Sequence, residues 1–93
     1  MDIVNRIESF VADIYFKYTN ELKSDFVEIC NSIVAFFNEN FSNNQQILEQ
    51  KDELLMYLLN VMEQNDYVKM ADALYYNVKP IIEDAILVID NKN

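Results

Sequence analysis

DYVKMADALYYNVKPIIEDAILVI, the stretch from Asp66 to Ile89, decides how this chain folds. Apolar residues return in it every three or four positions: Tyr67/Val68, Ala71, Leu74/Tyr75, Val78, Ile81/Ile82, Ala85 and Val88/Ile89. That period gathers them along one side of an α-helix, with polar residues on the other. A single helix cannot bury its own stripe, so the rest of the chain must supply the surfaces that cover it. Pro80 lies inside the stripe. It lacks the N–H that would bond the Tyr76 carbonyl, and its ring crowds that turn. The apolar phase nevertheless carries on past it. The expectation is one continuous helix, kinked at Pro80.

Upstream, Asn65-Asp66 forms a very short connection, with Asp66 placed to cap the helix that follows. Before it, a third helix is expected from about Gln45 to Gln64, with the stripe Ile47, Leu54, Leu55, Leu58, Val61 and Met62. Its middle, Leu54 to Leu59, is apolar all round, which suits a place deep in the core or under a second subunit. The polar run from Asn40 to Gln46 reads as a loop in which Ser42 or Asn43 caps the third helix.

A second helix is expected from Asp25 to about Asn40. Its stripe is Phe26, Val27, Cys30, Ile33, Val34, Phe37 and Phe41, flanked by Leu22, Ile29 and Phe36. The first helix carries Ile3, Ile7, Phe10, Val11, Ile14 and Tyr18, with Asp2 as its cap. Whether residues 3–41 form one helix or two is not dictated by a glycine or proline. One helix would be about 58 Å long, far longer than a domain with a radius of gyration of about 12 Å. Thr19, Asn20 and Ser24 are turn and cap formers, so a turn is expected at residues 19–23. Asn91-Lys92-Asn93 is expected to fray. The whole reads as one domain, residues 1–93: an all-α, antiparallel four-helix bundle.

Composition agrees with this and narrows the chemistry. There are no glycines and one proline, whereas a small all-β domain needs turns rich in both. The net charge is −9 and no basic run is present, which opposes binding to nucleic acid or to anionic membranes. The single cysteine, Cys30, cannot close an internal disulfide. The N-terminal residues show no signal-peptide pattern, and no apolar run is long enough for a membrane span. A cytoplasmic location is the expectation.

The chain holds no histidine. That removes His-dependent triads, the commonest general base, and histidine-containing zinc or di-iron sites. One cysteine builds neither a thiolate cluster nor a redox pair, and without glycine there is no phosphate-cradling loop. The carboxylate groups Glu21/Asp25/Glu28, Glu49/Asp52/Glu53 and Glu83/Asp84 read as solvated helix faces rather than cation sites. No catalytic residue, cofactor site or metal site is therefore assigned. Cys30 reads as a small core residue.

Two sets of candidates remain. Phe16, Ile29, Phe36, Met56 and Tyr57 project off the main stripes, and converging apolar residues would mark a partner interface. Asp72 and Tyr76, four apart with Lys79 and Glu83 continuing the same edge, form either a ladder of helix side-chain pairs or a polar anchor for docking the last helix.

Glu63, Asn65-Asp66-Tyr67-Val68, Ala71-Asp72, Leu74, Tyr76 and Pro80 resemble the C-terminal pattern of a family of small, acidic, uncharacterised bacterial helical proteins. The resemblance covers the last third of the chain, departs from the family's acidic residues at Tyr75 and Asn77, and carries no catalytic residue. It implies a helical bundle and an association with motility and flagellar genes. The function expected is a non-catalytic protein–protein interaction module, a homodimer. The alternatives are a small cytosolic export chaperone of the flagellar type, or an enzyme working through carboxylates in an apolar pocket.

Overall fold

Polar side chains take the place of glycine in the connections at residues 41–44 and 64–66. The computed structural model describes residues 3–91, and all the regular structure among them is helical. Helix α1 (Ile3–Asp13) is followed by α2 (Thr19–Asn40), α3 (Gln45–Glu63), α4 (Tyr67–Asp72) and α5 (Lys79–Asn91). A π-helical segment, Ala73–Val78, joins α4 to α5 without a break, so the described residues form four helices. The expected all-α class is what the structure shows. Its longest dimension is 40 Å and its radius of gyration 13.3 Å.

Each connection has a local cause. Helix α3 ends where Asn65 enters the left-handed region, at φ 54°. Asparagine tolerates that region better than other residues with a Cβ. The N–H groups of Gln64 and Asn65 then close back on the Val61 and Met62 carbonyls. Asp66 caps α4 as expected, its Oδ1 accepting from the Lys69 N–H at 3.1 Å. At the start of α3 the cap is Asn44, whose Oδ1 accepts from Ile47 at 3.1 Å. The cap is therefore neither Ser42 nor Asn43, because the Phe41 carbonyl draws in the Asn44 N–H and turns that side chain onto the helix end. The expected Asp2 cap, and Lys92-Asn93 of the expected fraying end, lie outside the described residues; Asn91 is helical.

The turn expected at residues 19–23 sits instead at residues 14–18. The Asp13 carbonyl accepts from both Phe16 and Lys17, which ends α1, and Tyr18 is extended (φ −67°, ψ 152°) before α2 begins. Leu22 is 2% exposed. With α2 beginning at Thr19, Leu22 falls on its buried line one turn before Phe26.

Helices α1 and α2 pack on each other, α2 on α3, and α3 on α4, while α1 also lies against α4, the π segment and α5. The centre is formed by Ile7, Phe26, Ile33, Leu58, Leu74 and Ile82, all fully buried. The Phe10 and Phe26 rings meet at 5.9 Å across α1 and α2, a pairing worth about 0.5–1.5 kcal/mol beyond the area it buries.

Two stripes are rotated from their expected positions. On α2 the buried line is Leu22, Phe26, Ile29, Ile33 and Phe37, whereas Val27 is exposed and Cys30, Val34 and Phe36 are half-buried. Packing against α1 on one side and α3 on the other draws the flank into the core. Along the last helix, Met70 and Ala73 are buried while Val68, Tyr75, Ile81 and Val88 face out.

A groove between the third and last helices

Tyr57, Asp72 and Tyr76, distant in sequence and drawn from both candidate sets, line one groove. Val61, Gln64, Lys69, Ala73 and Asn77 complete it, and its volume is about 320 Å³. The local fold explains the convergence. The left-handed Asn65 and the Asp66 cap make a short connection, and α3 packs on α4 and the π segment, which brings Tyr57, Val61 and Gln64 beside them. Asn77 Nδ2 donates to Tyr57 Oη at 3.0 Å, and Lys69 Nζ donates to Gln64 Oε1 at 3.0 Å. These two bonds brace the groove, one towards each end. Its floor is apolar, from Val61 and Ala73, and its rim is polar.

Three of the lining residues, Ala73, Tyr76 and Asn77, belong to the π segment, and Asp72 adjoins it. The Lys79 N–H bonds the Leu74 carbonyl five residues back, not four. Widened turns of this kind occur often at functional sites, because they re-aim side chains at the cost of poorer helix geometry. Here the widening sets the Tyr75 and Tyr76 rings edge to face at 5.2 Å and leaves Tyr76 69% exposed.

The edge ladder is rearranged. Lys79 does not continue it towards Glu83; its ammonium lies 4.5 Å over the Tyr75 ring and 3.9 Å from Glu8 on α1. Asp72 is exposed and borders the groove.

The remaining interface candidates divide. Ile29, expected to project outward, is 2% exposed and belongs to the core. Phe36 is half-buried, its ring edge-on to Phe37 at 5.2 Å. Both are claimed by the rotation of α2 described above. Met56 is exposed on α3, next to Tyr57. Phe16 is 87% exposed but lies in the α1–α2 connection between Tyr15 and Tyr18, themselves 80% and 79% exposed. The expected patch is thus two places: the groove, and an aromatic turn at residues 15–18. Sequence reading missed Tyr15 as a partner of Phe16 and placed Tyr18 on the buried stripe of α1; three aromatics within four residues were the signal.

Burial alone pushes the Cys30 thiol up to about 11, which makes it inert at neutral pH. Lys17 is raised from its ordinary value, first by its hydrogen bond to Asp25 and further by the charges of Asp25 and Asp13. Among the described residues, no three acidic or cysteine side chains come together in a way that holds a metal ion. No helix there is long and apolar enough to cross a membrane. Comparison with protein-family models, with curated proteins and with solved structures gives no match.

Proposed function

We propose that this chain is a non-catalytic protein–protein interaction module that works as a homodimer and takes a segment of a partner protein in the groove between α3 and the π segment. The observation that carries the reading is the meeting of Tyr57, Asp72 and Tyr76 around one apolar floor beside a π-helical widening. Tyrosines over an apolar floor with a polar rim are the composition of protein interface cores. The sequence supports the non-catalytic part, since it holds no histidine and a single cysteine. The scaffold in this reading is an antiparallel four-helix bundle whose last helix bends at Pro80. A cytoplasmic protein with no nucleic-acid partner belongs to the same reading, in keeping with a net charge of −9.

The test places a photo-crosslinking amino acid at position 76 and irradiates extract of the native host. One dominant protein adduct, lost when Tyr57→Ala and Asp72→Lys are added, supports the groove. An adduct pattern unchanged by those substitutions refutes it. Light scattering over a wide concentration range tests the dimer, and a constant monomer mass would refute that part.

A further inference from the structure

The α1–α2 connection is built from residues that do not favour a turn. Residues 14–18 contain neither glycine nor proline. Tyr18 occupies the N-cap of α2 and its side chain makes no capping bond. Apolar residues keep a helical period straight through the break, as Val11, Tyr15, Tyr18, Leu22 and Phe26. Yet Tyr15, Phe16 and Tyr18 are each about four-fifths exposed.

We propose that this connection is a hinge: in the homodimer read above it straightens, residues 3–40 become one helix, and α1 is exchanged with a second copy. The second copy is the occupant because the seat of α1 already fits it. The surface that buries Ile3, Ile7 and Phe10 to 6% exposure or less accepts the identical helix of another chain with the same contacts. A continuous helix of that length spans about 57 Å, beyond the 40 Å of the closed chain, so α1 leaves its own body. The hinge aromatics of two chains then meet near the twofold axis, which covers rings the closed form leaves in water. Exchange of an identical element is a low-cost route to a dimer.

A clasp opposes the opening. Lys17 Nζ lies 2.8 Å from Asp25 and 3.6 Å from Asp13. In a continuous helix the Asp13–Lys17 pair survives at four-residue spacing. Asp25, eight residues beyond Lys17, lies about 12 Å along the axis and is lost. Asp25→Asn therefore shifts the balance towards exchange. Salt does the same, by screening the repulsion between chains of charge −9.

The experiment uses the full chain with Cys30→Ala, Arg6→Cys and Ser32→Cys, since Arg6 Nη1 lies 3.4 Å from Ser32 Oγ across α1 and α2. Monomer and dimer fractions are separated, treated with a short bis-maleimide and run on a denaturing gel. Exchange gives covalent dimers from the dimer fraction and internally linked single chains from the monomer fraction. A dimer whose chains link only internally overturns the exchange while leaving the homodimer standing. No dimer at the highest concentration overturns both. Thr19→Pro adds a second arm. Proline suits the first position of α2 and the extended Tyr18 before it, but it breaks a continuous helix. The closed fold keeps its helical circular dichroism and dimerisation weakens by at least about 100-fold; undiminished dimerisation overturns the proposal.

Discussion

Replacing Pro80 with alanine tests why the last helix widens before it. Two causes converge there. Proline cannot donate to the Tyr76 carbonyl and crowds it, and proline in a helix interior is about 3 kcal/mol less favourable than alanine. Independently, the buried residues Met70, Leu74, Val78 and Ile82 are spaced by four, and all are fully buried. In a regular α-helix each such step overshoots a full turn by about 40°, so the line would drift about 120° from Met70 to Ile82. The five-residue bond from Lys79 to Leu74 advances fewer degrees per residue and brings the line back to one face. Straightening would swing Ile82 outward, at a loss of about 1.5–3 kcal/mol. Alanine at position 80 removes the first cause and leaves the second. The π segment should persist. The gain should be less than the full propensity difference, because the wide turn already relieves part of the clash and proline also restricts the unfolded chain by about 0.4–1 kcal/mol. The expected result is a stabilisation of about 1–2 kcal/mol in urea unfolding, or roughly 5–15 °C in Tm. Ile82→Ala in the Pro80→Ala background should still cost about 2–5 kcal/mol. A variant no more stable than the parent would refute the role given to the proline. A cost for Ile82→Ala below about 1 kcal/mol would show that Ile82 had left the core and that the spacing does not hold the wide turn.

Other substitutions separate core from surface. Ile29→Asp puts an unpaired carboxylate where the side chain is 2% exposed and should abolish the helical circular dichroism at 25 °C. Phe16→Asp should change stability by no more than about 0.5 kcal/mol by the same measurement. Asp66→Ala removes the acceptor for the Lys69 N–H and should cost about 1 kcal/mol in urea unfolding, with hydrogen exchange rising first at residues 67–70. The Cys30 thiol, raised from 9.0 to about 11, should alkylate about 100-fold more slowly at pH 8 in the folded chain than in urea. The same shift sets a sign for stability. The unfolded chain loses this proton near pH 9 while the folded chain keeps it to about pH 11, so the contribution is complete below pH 9 and falls as pH rises to 11. Rapid alkylation of the folded chain at pH 8 would contradict the buried placement.

The local signals in this chain were sufficient for its class. A three-to-four-residue apolar period, polar residues at two of the connections and an absence of glycine allow helices and little else, because those preferences act over a single turn of backbone. The Asp66 cap, the short return from α3 and the extent of α3 were legible for the same reason. The groove is partly legible too: Tyr57, Asp72 and Tyr76 stood out one by one, but their meeting depends on how α3 returns against α4. What tertiary structure decided was rotation and phase. Ile29 and Phe36 read as outward because an isolated helix has one best stripe, whereas α2 packs between α1 and α3 and buries a different one. The break at residues 14–18 rather than 19–23 keeps Leu22 on the buried line of α2 with Phe26, which is a matter of core packing. The π segment likewise answers to the core, since only packed neighbours make Met70, Leu74, Val78 and Ile82 share a face. A helical period specifies which residues are apolar, but the direction in which they point is settled by the surfaces that cover them.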